Sequence, residues 1–121
     1  MRRPSTLPIA LFCALIVSPI CAAEGPARAE IDYLLRCIET SNGKFIRGGT
    51  EYSPKEAADH LRMKLEKAGT RVKTAEDFIT GIASKSYLNG KPYQIKLPNG
   101  SVQPAGPWLT AALERHRKKP D

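Results

Sequence analysis

Two short stretches set the frame for this chain: Ser53-Pro54-Lys55-Glu56 and Thr74-Ala75-Glu76-Asp77. In each, a hydroxyl residue stands three positions ahead of an acidic one. The hydroxyl accepts from the backbone N–H at the acidic position, and the carboxylate reaches back to the N–H of the cap. That exchange satisfies two orphan donors and starts a helix. Pro54, with its fixed φ and missing N–H, suits the first helical position. One helix is therefore expected from the Ser53 cap to a stop at Gly69, and another over residues 74–84. Ala75, Phe78, Ile79, Ile82 and Ala83 give the latter a continuous apolar face. Gly81 interrupts it at a cost of about 1 kcal/mol against alanine, which suggests a close helix contact there.

The same periodicity marks residues 26–41, where Ala27, Ile31, Leu34, Leu35 and Ile38 share one face and Asn42-Gly43 supplies a left-handed end. Pro107 opens a last helix, with Trp108, Leu109, Ala112 and Leu113 on one side. Its basic end, "RHRKKPD", is expected to fray, its cations complementing the helix dipole. Between the helices lie two β signals. Phe45-Ile46, Gly48-Gly49 and Thr50 to Tyr52 form a hairpin pattern, too short to stand alone. Tyr93, Ile95 and Leu97 alternate with Gln94 and Lys96 ahead of a Pro98-Asn99-Gly100 turn. The expected fold class is mainly α (α+β): about four helices with a short β-hairpin or small β-sheet element. Its core would hold Ile31, Leu35, Ile38, Leu61, Leu65, Phe78, Ile82 and Trp108.

The first residues bound what remains to fold. Arg2 and Arg3, an apolar run from Ile9 to Val17, and Cys21-Ala22-Ala23 have the layout of a secretory signal peptide, with cleavage expected after Ala23. The run is too short for a comfortable membrane span, which needs about 20 residues, and Ile20 is too large a neighbour for acylation of Cys21. Residues 24–121 would then be a single small domain, soluble and periplasmic or secreted, with no stable membrane span. Losing Arg2 and Arg3 from the 19 basic residues leaves 17 against 12 acidic ones, a net charge of +5 instead of +7. That balance attracts anionic partners without naming one. Cys37 is then the lone cysteine, so an intrachain disulfide is excluded. It is either a buried, inert thiol or a site for an intermolecular bond.

Candidate chemistry concentrates on the Ser53 helix, where Glu56, His60 and Lys64 run down one edge of the apolar stripe and Arg62 borders the other. Two readings stay open for this strip. In one, Lys64 packs its stem on apolar surface and keeps its ammonium wet, with Glu56 and His60 as an ordinary helical pair. In the other, the strip walls a pocket in which His60 titrates and Arg62 and Lys64 hold an anion. A nucleophilic site would have to assemble Cys37 or a serine, His60 and an acid such as Glu51 or Glu56. Two histidines and one cysteine without ligand spacing make no zinc site, and no Gly-rich phosphate loop is present. No cofactor is expected. Lys91, Tyr93 and Lys96 beside the basic tail are a faint nucleic-acid signal that export argues against.

Three stretches, "EAADHLRMKL", "AEDFITGIAS" and "GKPYQIKL", together with their surroundings from residue 30 to 114, resemble the YfeK-like family of small exported bacterial proteins of unknown function. The resemblance implies a secreted or periplasmic α-rich domain and brings no activity, cofactor or catalytic residue with it. Where that family carries a cysteine ahead of the strand near Gly43-Lys44, this chain has none, and its Cys37 lies in the preceding helix. The leading functional expectation is a non-enzymatic binding or interaction module of the cell envelope. Its partner would be a protein or an anionic envelope component, contacted through His60, Arg62, Lys64, Lys91 and Tyr93, with no nucleic acid and no metal. The alternative is a small envelope hydrolase or transferase that uses His60 as general base. A structural role through Cys37 is the third possibility.

Overall fold

The computed structural model describes residues 25–86 and 90–119, and the leader-like segment 1–23 lies outside them. Helix α1, Pro26–Glu39, is followed by strands β1, Lys44–Arg47, and β2, Thr50–Tyr52. Helix α2 spans Pro54–Ala68. Helix α3, Ala75–Phe78, runs directly into a π-helical turn, Ile79–Ala83. Strands β3, Gln94–Lys96, and β4, Val102–Pro104, precede α4, Ala105–Lys118.

Both capping boxes form. Ser53 accepts from Glu56 N while Glu56 Oε1 accepts from Ser53 N at 2.9 Å, and Thr74 and Asp77 make the same exchange. Gly69 ends α2 at φ +58°, a left-handed conformation that costs glycine nothing. The first helix stops earlier than its periodicity suggests. Thr40 turns its hydroxyl back onto Arg36 O at 2.9 Å, and Asn42, at φ +58°, carries the left-handed residue. Gly43 has a different duty, because a Cβ there would collide with the Lys96 carbonyl. At the other end of the chain α4 begins at Ala105, two residues before Pro107, with Ala105 and Gly106 buried.

The two β signals merge into one antiparallel sheet of order β2-β1-β3-β4. Arg47 pairs with Thr50, so Gly48-Gly49 is a two-residue loop, and both glycines have positive φ as the tight hairpin turn requires. Phe45 pairs with Ile95 across the centre of the sheet, and both side chains are buried. The helices cover that face. Their apolar stripes contribute Ile31, Leu34, Leu35, Ile38, Ala57, Ala58, Leu61, Leu65, Phe78 and Ile82, with Leu109 and Leu113 from α4. Seven of the eight expected core residues are buried; Trp108 is the exception, packing at the margin while Leu109 takes the interior position.

Two further expectations are corrected. Gly81 marks no close contact, for it is exposed and a Cβ there would have nothing within 4 Å. The basic end of α4 is helical through Lys118, and Arg117 clamps it. Its guanidinium donates to both Glu30 oxygens at 2.8 and 2.9 Å and to both Glu76 oxygens at 2.7 and 3.3 Å. Among the described residues no helix is long and apolar enough to cross a membrane.

Candidate functional site

Lys64 has a definite place. Its ammonium donates to Ile82 O at 2.8 Å, to the Tyr93 hydroxyl at 2.9 Å and to Lys85 O at 3.4 Å, and it lies 4.8 Å from the Tyr93 ring centroid. The last carbonyls of a helix lack partners, and a π turn disturbs the bonding of that turn further. A long, flexible cation from α2 therefore serves as a side-chain cap for the end of the π turn that continues α3. Tyr93 is 2% exposed and offers its hydroxyl inward to this cation, so it presents no ring to solvent. Its backbone ties the same place together. Tyr93 N donates to Ser84 O at 2.9 Å, and Ala105 N donates to Tyr93 O at 2.8 Å.

His60 lies half-buried one turn before Lys64, its ring edge-on to Tyr93 with centroids 6.4 Å apart. Burial first, then the charges of Arg47 and Lys64, lowers its pKa from the ordinary value of 6.5, so the ring is neutral at pH 7. Glu56 is engaged by the Ser53 cap and Glu51 by Lys96, at 3.3 Å. Among the described residues His60 thus has no carboxylate to orient it. Cys37 stands elsewhere, half-buried on α1. Hydrogen bonding with Cys37, ahead of burial, raises the pKa of Tyr33, whose ring stacks on His116 at 4.2 Å.

The five binding candidates therefore divide. Lys64, Tyr93 and His60 come together, as an internal brace. Arg62 faces the other way and joins α2 to α1 through Glu39 at 2.8 Å, with Asp59 at 3.5 Å. That guanidinium holds the Glu39 carboxyl below its ordinary pKa. Lys91 is exposed, and its carbonyl accepts from Ser86 N at 3.0 Å. No group of three or more His, Cys, Asp or Glu residues among those described is placed to hold a metal ion.

A second place carries more open space. Between the π turn and α4 runs an open groove of about 510 Å³, lined by Ile79, Thr80, Ser84, Gly106, Pro107, Thr110, Ala111 and Glu114. A recess of about 120 Å³ continues it past Leu113 to Glu76 and Arg117. The π turn creates the near wall, since an extra residue in the turn shifts the side chains that follow out of α-helical register. Ser84 reaches back five residues to Ile79 O at 2.6 Å. A Cβ on Gly106 would sit 2.8 Å from Ser84 Oγ, so glycine lets the start of α4 approach this closely. The sequence signal for this groove was the run of small residues on α4, Gly106, Thr110 and Ala111, which periodicity alone leaves as an unremarkable outer face.

Comparison with known proteins gives kinship without chemistry. Over 66 residues the chain is 44% identical to the "Uncharacterized protein YfeK" of Salmonella typhimurium, an alignment covering 54% of this chain and 55% of the relative. The chain thus spans about half the length of that curated relative. No solved structure matches it. Residues 26–117, from the first turn of α1 to the Arg117 clamp, match the family described as "Family of unknown function (DUF5329)", and the chain belongs to that family.

Proposed function

We propose that the chain is a non-enzymatic binding module exported to the cell envelope, with the groove between the π turn and α4 as its contact surface. The observation that carries this reading is the groove itself, a shallow, open trough of about 510 Å³ with a mostly apolar lining. The leader-like first residues support the location. The hydrolase or transferase alternative has less support, because its base, His60, is flanked by Arg47, Lys64 and a buried phenol.

The test uses the full chain expressed with its leader. Protein recovered from the periplasm is expected to begin at Glu24, by intact mass. Titrated with a mixed library of short peptides, it is expected to show amide shifts at Thr80, Gly106 and Ala111. Those shifts should vanish in Ala111→Trp, which fills the groove from an exposed position. Shifts centred instead on Arg62 and Lys91 would move the contact to the basic edge of α2 and sink the groove.

A further inference from the structure

The side chains that line the groove share one chemical character. Thr80 donates its hydroxyl hydrogen to Glu76 O at 3.0 Å, Ser84 to Ile79 O at 2.6 Å and Thr110 to Gly106 O at 3.0 Å. A hydroxyl has one hydrogen and two lone pairs. With the hydrogens committed to helix carbonyls, all three offer a ligand only acceptors. Glu114 adds a carboxylate that makes no ion pair among the described residues, not even with Lys118 one turn along α4. At the far end the donors of Arg117 are taken up by Glu30 and Glu76. Among the residues that line the groove and its recess, Glu76 and Glu114 stand against Arg117 alone, so the lining carries a local negative excess in a chain of net charge +7. The floor is apolar, formed by Ile79, Pro107 and Ala111.

We propose that the groove takes a peptide segment of a partner protein bearing an arginine or lysine side chain, with the cation on Glu114 and its aliphatic stem on Ile79, Pro107 and Ala111. This rests on the reading of the groove as a binding site and names what it selects. Long basic side chains lay their methylenes on apolar surface and keep the charge at its rim, and a guanidinium on a carboxylate is among the stronger hydrogen-bonded pairs. Backbone N–H groups of the segment are the donors that the three hydroxyl oxygens lack. A peptide supplies both kinds of donor at once, and the trough is open along its length, so the chain can enter and leave.

The experiment titrates the full chain with Ac-Ala-Arg-Leu-Ala-amide and follows amide shifts, with the glutamate peptide Ac-Ala-Glu-Leu-Ala-amide and spermidine as comparisons. The arginine peptide is expected to shift Thr80, Gly106 and Ala111, to weaken as salt is raised, and to lose about tenfold in affinity in Glu114→Gln. Because Glu114 is exposed, that variant is expected to keep the wild-type spectrum elsewhere. Equal binding of the glutamate peptide, or no change in Glu114→Gln, overturns the selection for cations. Spermidine binding as tightly as the arginine peptide overturns the peptide occupant. Neutral or acidic peptides that shift the groove residues while the arginine peptide does not would defeat this inference and leave the groove as a binding site. Silence from every ligand at those residues would defeat both.

Discussion

Lys64 shows how one side chain can be read two ways from sequence and one way from structure. Its place beside the apolar stripe of α2 was legible from helical spacing, but its partners were not. Ile82, Lys85 and Tyr93 lie 18, 21 and 29 residues further on, and nothing in α2 refers to them. Its partners among the described residues are carbonyl and phenol oxygens, so the cost of losing the ammonium there is that of stranding acceptors. Leaving buried acceptors unsatisfied costs about 1–3 kcal/mol, less than the roughly 3–5 kcal/mol of breaking a buried ion pair. Lys64→Met keeps the stem and removes the donors. It is expected to lower the thermal midpoint by about 4–8 °C for each kcal/mol lost in a domain of this size. An unchanged midpoint by calorimetry would mean that water replaces the ammonium, and that the end of the π turn needs no cap from α2. Tyr93 carries the same lesson. Alternation marked it as an inward residue of its strand, and the structure adds that its hydroxyl is a partner within the core.

At the scale of elements, what local chemistry decides was legible and what depends on distant chain was not. Capping boxes are closed within four residues, and both form as their sequences require. The Gly48-Gly49 turn is equally local. By contrast the joining of the two β signals into one sheet pairs Phe45 with Ile95 across fifty residues, and strands of three or four residues carry too little pattern to announce it. The π turn is invisible for a similar reason, since one extra residue leaves the apolar spacing of Phe78, Ile79, Ile82 and Ala83 nearly intact. Two glycines separate these cases experimentally. Gly81 is exposed, has a negative φ and faces open space, so Gly81→Ala is expected to stabilise by about 0.5–1 kcal/mol. Gly43→Ala drives a Cβ into the backbone of Lys96, where the β1–β3 pairing must shift to admit it, and is expected to cost about 1–3 kcal/mol. Chemical denaturation of the pair measures both. A destabilising Gly81→Ala would show that the π turn itself needs the glycine.

For the molecule as a whole, the helices meet through apolar faces that the sequence displays, while their relative placement is recorded in side chains that look generic. Arg117 lies in a basic tail whose composition suggested only a solvated helix end, yet it ties α4 to α1 and α3 at once through Glu30 and Glu76. The guanidinium lowers both carboxyl pKa values from the ordinary 4.5, by hydrogen bonding foremost in each case. A carboxylate whose folded pKa is depressed contributes stability above its unfolded pKa and loses it as pH falls through the folded one. The clamp therefore acts fully at neutral pH and fades below about pH 4.5, the unfolded reference. With the Arg117 side chain 43% exposed, solvent screening limits its worth to about 1 kcal/mol. Arg117→Met is expected to lower the midpoint by about 4–8 °C at pH 7 and low salt, and the gap from wild type should close as pH approaches 3. A gap that stayed constant with pH would assign the loss to packing of the arginine stem on α4 instead of to its charge.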